Sequence, residues 1–146
     1  LRDRETKQGQ TYIEQALALN SEYTGQAAEA YAARAEKLFY AEEYTEAAHW
    51  YRKAWETCPA LLWHRVRLAE SLEAMQLYSA AVEEYRAILL EAPESPYSAE
   101  RLDAILITHE SPEVRESVWR EIVEAHPEAK VPLQYLPSAS APEALP

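Results

Sequence analysis

The chain repeats itself at intervals of 34 residues. Proline recurs at this step at Pro59, Pro93 and Pro127. Small and apolar residues recur at the same step, in columns that begin at Ala35, Leu38, Tyr44, Ala47, Tyr51 and Ala54. A period of roughly 20–50 residues is typical of stacked copies of one small supersecondary unit. The repeat constrains the fold strongly, because one copy cannot bury its apolar face and a neighbouring copy must cover it.

Within each copy, apolar residues recur at spacings of three and four, which predicts two amphipathic helices of about 14 residues each. Ser95-Pro96 and Ser111-Pro112 are typical helix starts, with serine as the N-cap and proline in the first turn. The periodic prolines are expected to close the second helices. The chain contains only two glycines, which suits helices and leaves few turn residues for a sheet.

Residues 28–59, AEAYAARAEKLFYAEEYTEAAHWYRKAWETCP, resemble a tetratricopeptide repeat (TPR) almost position by position. Residues 62–93 match from Leu68 onward, and residues 96–127 keep the length and the closing proline but lose the small residues. The resemblance implies an all-α fold. We expect a right-handed superhelical TPR solenoid of helix-turn-helix repeats, with about seven helices and an extended C-terminal tail.

The segments before and after the three repeats do not form complete copies of the repeat. Residues 12–23 resemble the second helix of a preceding repeat, so residues 1–27 are interpreted as a partial repeat followed by a connector at 24–27. Residues 128–146 are rich in Pro, Ala and Ser, which predicts an extended or disordered tail.

Two departures from the family pattern predict local differences in structure. The turn inside a TPR often carries glycine, but Glu42 and Gln76 occupy that place here, so we expect turns that are costlier or differently shaped. In the third copy, Asp103 and Arg115 replace the two small residues at which the paired helices touch. We expect these two side chains to face each other in a charge-assisted contact.

The tail is expected to cap the last repeat. Trp119 lies on the face that a following repeat would cover, and an uncovered apolar face invites aggregation. Val131, Leu133 and Tyr135 alternate at a period of two, which gives an extended segment one apolar side. We therefore expect the chain to be docked as far as Leu136. The same segment entering a neighbouring molecule would instead produce a homodimer.

The charge and the N-terminus exclude several classes of function. The formal net charge is −11, which repels phosphate backbones and anionic lipid, so we expect no nucleic-acid partner and no membrane insertion. No apolar stretch is long enough to cross a bilayer. Residues 1–20 lack the apolar core of a signal peptide, which favours a cytoplasmic location. Because Leu1 is not an initiator methionine, we expect a processed chain or a piece of a longer one.

No pattern in the sequence indicates catalysis. Cys58 is the only cysteine, and the four histidines share no metal-ligand spacing with it or with one another. Glu46 and His49 have the Glu-x-x-His spacing of di-iron bundles, but no second such pair is present. A glycine-rich phosphate loop and a nucleophile elbow are also missing. We expect no enzyme activity, no metal and no cofactor.

The resemblance implies a peptide-binding face. In TPR solenoids the first helices line a concave groove in which peptides dock, and aromatic and arginine side chains are typical of binding hot spots. The residues that this predicts are Glu36, Phe39, Tyr40, Trp63, Arg67, Glu70, Tyr97 and Arg101. Of these, we expect Trp63, Arg67, Tyr97 and Arg101 to be substantially exposed. TPR domains that clamp chaperone tails carry Lys and Asn in their early repeats, whereas this chain has Ala32 and Glu36 there.

The predicted function is a non-catalytic scaffold or adaptor that binds another protein or peptide, whose identity the sequence does not give. Two alternatives from other classes remain open. In the first alternative, the chain is a regulatory or substrate-recognition arm of a larger enzyme, such as a transferase or kinase. In the second alternative, it is a small acidic secretion chaperone. The full-length gene would distinguish the first alternative, and co-expression with an aggregation-prone neighbour would test the second.

Overall fold

A computed structural model describes residues 2–137, with side chains at Gln15 and at residues 19–137. Every regular element of this part is α-helical, which confirms the all-α prediction. The helices are α1 (Arg2–Tyr40), α2 (Tyr44–Thr57), α3 (Leu62–Ala74), α4 (Tyr78–Glu91), α5 (Pro96–His109), α6 (Pro112–Ala125) and the one-turn α7 (Lys130–Leu133). Residues 138–146 of the predicted tail lie outside the described residues. Within the described residues, no helix combines the length and the hydropathy that a membrane span requires.

The 34-residue period is visible in the helix boundaries. The second helices α2, α4 and α6 begin at Tyr44, Tyr78 and Pro112, which are 34 residues apart. Each of the three ends two residues before a periodic proline. Proline has no amide hydrogen and its ring clashes with the preceding turn, and it also disfavours the helical conformation of the residue before it. The sequence period therefore sets where the second helices end.

The chain divides into two compact units between His64 and Arg65, within α3. In the first unit, α1 packs against α2. Fully buried alanines lie on both helices, Ala35 on α1 and Ala47 on α2, and Tyr51 fills the space beside them. Small side chains at this contact let the two helix backbones approach closely.

Helix α1 is continuous from Arg2 to Tyr40, so the predicted connector at 24–27 is itself helical. The composition explains this continuity, because the chain has no proline before Pro59 and residues 26–35 are rich in alanine. Four extra residues also amount to about one helical turn, so the insertion lengthens the helix and leaves its apolar face in place.

The turns after α1 and α3 are Schellman caps. Glu42 and Gln76 both have a φ of 61°, the left-handed conformation that favours glycine. The amide of Glu43 donates to the Leu38 carbonyl at 2.9 Å, and the amide of Leu77 makes the equivalent bond to Leu72 at 3.0 Å. These two turns thus keep the glycine-type shape, and their higher cost stays a prediction.

The third turn has a different shape. At Glu110, which stands where Glu42 and Gln76 stand in the earlier copies, φ is −126°. The next helix begins instead with a side-chain cap, in which Ser111 Oγ accepts a hydrogen bond from the Val114 amide at 3.2 Å. Pro112 follows in the first turn, as the Ser-Pro pattern predicted.

The second unit is held by a core that α3, α4, α5 and α6 share. Its large, fully buried side chains are Leu68, Leu89, Tyr85, Ile88, Leu102, Leu106, Trp119 and Ile122. Asp103 and Arg115 meet between α5 and α6, with Nε to Oδ1 at 2.7 Å and Nη2 to Oδ2 at 3.1 Å. The predicted contact is confirmed. Trp119 adds a third bond, from its Nε1 to Asp103 Oδ1 at 2.8 Å.

The tail docks on the second unit, but in a different conformation from the predicted extended one. Residues 130–133 form α7, whose Pro132 is fully buried while Leu133 is exposed. Proline is tolerated there because first-turn amides have no partner within the helix. The Tyr135 ring stacks on Trp119 with centroids 4.5 Å apart, so the predicted capping contact is confirmed for Tyr135. A homodimer through the tail remains a prediction.

Candidate peptide-binding site

Four of the predicted binding residues lie in the second unit, on two first helices. Arg67 and Glu70 are three residues apart on α3, and Tyr97 and Arg101 are four apart on α5. Side chains at these spacings share one face of a helix. Glu73, three residues beyond Glu70, continues the same row on α3.

Glu73 joins the two first helices. Arg101 grips the Glu73 carboxylate with two N–H groups, Nε donating to Oε1 at 3.1 Å and Nη2 donating to Oε2. From α4, the Tyr85 hydroxyl donates to the same Oε1 at 3.0 Å. The bonds to Glu73 raise the pKa of Arg101. Burial, reinforced by the charge of Glu73, raises the pKa of Tyr85. Both donors therefore keep their protons at neutral pH.

Glu70 is paired on one side only. Its Oε2 accepts from Arg67 Nη1 at 3.3 Å, whereas its buried Oε1 has no hydrogen-bond partner among the described residues. Tyr97 lies nearby. Burial, and next the charge of Glu70, raise the pKa of the Tyr97 phenol. A buried carboxylate oxygen without a donor is unfavourable. The Tyr97 phenol is a donor beside it, since a hydrogen bond with Glu70 is among the causes that raise the Tyr97 pKa.

Fewer of the candidate residues in the second unit are exposed than the sequence predicted. Tyr97 is 48% exposed and the Arg101 side chain 43%. The Arg67 side chain is only 19% exposed, and that of Glu70 14%. We expected Arg67 to be substantially exposed, and that expectation is wrong. Its pairing with Glu70 along the same helix draws the guanidinium down onto α3.

The other four predicted residues lie in the first unit. Trp63 is 59% exposed and Tyr40 is 69% exposed. Glu36 is also exposed. Phe39 is half-buried, and its ring meets Tyr44 edge-on with centroids 5.2 Å apart. The expected exposure of Trp63 is confirmed, while Phe39 contributes to the packing of the α1–α2 hairpin.

The residues considered for catalysis are dispersed. His64 is buried, with Nε2 3.8 Å from the Glu29 carboxylate, and burial lowers its pKa. His49 is exposed, and its ring meets Trp50 edge-on at 5.1 Å. Among the described residues, no group of three or more His, Cys, Asp or Glu side chains is arranged to hold a metal ion.

The residue that sequence reasoning missed is Tyr85. Its column in the repeat predicted a core side chain, and the ring is indeed fully buried. The hydroxyl nevertheless reaches Glu73, in the same row of α3 as the candidate residues Arg67 and Glu70. Tyrosine combines an apolar ring with a hydroxyl group that needs a hydrogen-bond partner when it is buried. A core tyrosine in a repeat whose first helix carries Glu70 and Glu73 could therefore have predicted this contact.

No protein-family model matches this chain, and no curated protein matches it. Among solved structures, it is similar to the Arabidopsis OM64 TPR domain, with a TM-score of 0.55 and 13% sequence identity. The match covers 77% of this chain and 93% of that one. At this identity the similarity concerns the fold alone. Together with the 34-residue helix register, it shows that the chain has the fold of a tetratricopeptide-repeat domain.

Proposed function

We propose that the chain is a non-catalytic protein-interaction module that binds a peptide or protein segment as a scaffold or adaptor. The TPR fold is typical of such modules. In the second unit, the proposed contact face consists of Tyr97 and Arg101 on α5 with Arg67 and Glu70 on α3. In the first unit, Glu36, Phe39, Tyr40 and Trp63 are proposed as binding residues in their own right.

One observation carries the proposal for the second unit. Tyr97 and Arg101 are exposed, yet Arg101 is anchored to Glu73 and Glu73 is anchored again by Tyr85. A side chain that is already ordered before binding loses less conformational entropy when the partner arrives. Exposed aromatic and arginine side chains held in this way are typical of binding hot spots.

The same contacts indicate what the partner offers. The Arg101 charge is already neutralised by Glu73, so an acidic partner side chain would have to displace an internal carboxylate. We therefore expect a partner segment that places an apolar or aromatic side chain on Tyr97.

Selection from a phage-displayed library of random peptides tests the proposal. Calorimetry with a selected peptide should show that Tyr97→Ala weakens binding by about 2 kcal/mol, roughly 30-fold, because the ring is the exposed anchor. Tyr23→Ala is the matched control, since Tyr23 is a 70% exposed tyrosine outside the proposed residues. Circular dichroism of both variants checks that the helices are intact.

Two outcomes would contradict the proposal. If wild type, Tyr97→Ala and Trp63→Ala bind the peptide equally, the proposed residues are not the binding site, and the faces of the second helices become the candidate. Alanine at Cys58 or His49 is expected to leave peptide binding unchanged. A turnover measured for the full chain and abolished by either substitution, with folding preserved, would overturn the non-catalytic assignment.

A further inference from the structure

Two aromatic rings and two cations form a compact cluster in the first unit, which we name the cationic–aromatic face. Tyr31 and Trp50 stack with centroids 5.7 Å apart and an interplanar angle of 29°. The Arg34 guanidinium carbon lies 4.2 Å from the Trp50 ring centroid. Lys53 Nζ lies 4.9 Å from the Tyr31 centroid and 5.2 Å from that of Trp50. Tyr31 and Arg34 come from α1, and Trp50 and Lys53 from α2.

No ion pair with another described side chain neutralises the charge of these cations. Among the described side chains, no carboxylate lies within 4.0 Å of the charged nitrogens of Arg34 or Lys53. Glu56 follows Lys53 three residues later on α2. The Lys53 side chain nevertheless points toward Trp50, on the N-terminal side, which is the usual direction of side chains in a helix. Both cations are exposed.

The second unit shows the opposite arrangement. Each of its arginines pairs with a carboxylate of the same unit: Arg65 with Glu84, Arg67 with Glu70, Arg86 with Glu121, Arg101 with Glu73, Arg115 with Asp103 and Arg120 with Glu116. In a chain with a net charge of −11, carboxylates are abundant. In the described part of the first unit, Arg34, Lys37, Arg52 and Lys53 have no such partner, and Arg34 and Lys53 are the two that rest on aromatic rings.

Stacking orders these cations and leaves their hydrogen-bonding groups available. A guanidinium whose face lies on an aromatic ring still presents its N–H groups along its edge, where a carboxylate binds in the guanidinium plane. The ammonium group of Lys53 can likewise accept an anion on the side away from the rings. The half-buried Trp50 ring supplies apolar surface between the two charges.

We propose that the cationic–aromatic face binds an acidic polypeptide segment, with one carboxylate on Arg34 and a second on Lys53. Charge complementarity selects this partner, because the face is positive within an acidic protein. Two cations match two side-chain carboxylates, whereas a nucleic acid would bring a continuous row of phosphates toward the negative remainder of the surface. The proposal uses none of the residues assigned to the proposed function, so it does not depend on that function.

The test uses an end-blocked oligoglutamate peptide carrying fluorescein, with oligoglutamine of the same length as the uncharged probe. Fluorescence anisotropy with the full chain should show binding of oligoglutamate only. The double variant Arg34→Gln/Lys53→Gln should weaken that binding by about tenfold or more, because it removes both charge-assisted contacts. Trp50 emission should also change on binding to the wild type.

The matched control is Lys37→Gln/Arg52→Gln, which makes the same change in net charge at two exposed positions on the same helices. It should retain binding within about twofold. An equal loss in both double variants would show unspecific attraction and overturn the proposal. Three further results would also overturn the proposal. They are the absence of oligoglutamate binding, tighter binding of single-stranded polyuridylate than of oligoglutamate, and a concentration-dependent dimer in sedimentation that only Arg34→Gln/Lys53→Gln abolishes. Unchanged binding of a library-selected peptide by Arg34→Gln/Lys53→Gln would confirm that the two sites are separate.

Discussion

Glu42 and Gln76 adopt a left-handed backbone conformation at positions where glycine is common in this fold. A side chain in this conformation brings Cβ close to the following carbonyl oxygen, which costs roughly 1–2 kcal/mol. Glu110 occupies the same column in the third copy but has a φ of −126°. The three positions therefore provide a matched comparison within one chain.

We expect Gln76→Gly to raise the free energy of unfolding by about 0.5–1 kcal/mol, because relief of the strained backbone exceeds the added entropy of the unfolded chain. Glu110→Gly should lower it by a few tenths of a kcal/mol to about 1 kcal/mol, since no strain is relieved there. Urea unfolding followed by far-ultraviolet circular dichroism measures both values. A loss of stability in Gln76→Gly would show that the side chain stabilises the turn.

Asp103 is a buried carboxylate of the second unit that accepts three hydrogen bonds. It accepts hydrogen bonds from Arg115 and from the buried Trp119 indole, and the residue is 7% exposed. The Arg115 side chain is 31% exposed, so its pairing is partly screened by water. Most of the contribution of Asp103 therefore comes from satisfying the buried indole N–H group.

Asp103→Ala should lower the free energy of unfolding by about 2–4 kcal/mol, because it leaves a buried donor and a guanidinium without an acceptor. The control is Glu116→Ala, which breaks the exposed pair with Arg120 and should cost less than about 1 kcal/mol. Thermal and urea unfolding provide the comparison. Similar losses in the two variants would contradict the structural role of the buried carboxylate.

Among the helices, α7 serves as the cap of the second unit. A following repeat would normally cover the exposed side of α6, and α7 with Tyr135 covers Trp119 instead. The cap is also tied by hydrogen bonds, with the Val131 amide donating to Glu94 Oε1 at 2.8 Å. His126 Nε2 lies 2.5 Å from the Leu90 carbonyl oxygen at the end of α4.

Tyr135→Ala should destabilise the chain by about 2 kcal/mol, since it removes both apolar burial and a stacked aromatic pair. Leu133→Ala, at a 47% exposed position in α7, should change stability by less than about 0.5 kcal/mol. Chemical unfolding monitored by tryptophan fluorescence distinguishes the two. If limited proteolysis trims the chain to Glu128 without loss of thermal stability, the cap has no structural role.

For the molecule as a whole, charge is arranged differently in the two units. The second unit uses its arginines internally, as links between helices such as Arg65–Glu84 and Arg101–Glu73. The first unit has four described basic side chains outside such pairs: Arg34, Lys37, Arg52 and Lys53. Within a chain whose net charge is −11, these four cations are therefore not neutralised by ion pairs among the described side chains.

The sequence by itself determined the helix register and the contacts that follow from it. A 34-residue period with its closing prolines predicts the second helices because backbone geometry at proline is local. The Asp103–Arg115 pair was predictable for the same reason, since the repeat places both columns opposite each other. The candidate residues Trp63, Tyr97 and Arg101 were correctly expected to be exposed, because helical spacing specifies a face.

Only the tertiary structure decided which charges remain available. Arg101 pairs with Glu73, 28 residues away, and Arg67 pairs with Glu70 on the same helix. These pairings depend on how the helices approach each other and on the side-chain rotamers. The same holds for Arg34 and Lys53, which rest on aromatic rings instead of carboxylates. Many acidic residues are within sequence reach of each cation, and the energies of these alternatives differ little in water. Packing between helices, which no local pattern specifies, therefore selects among them.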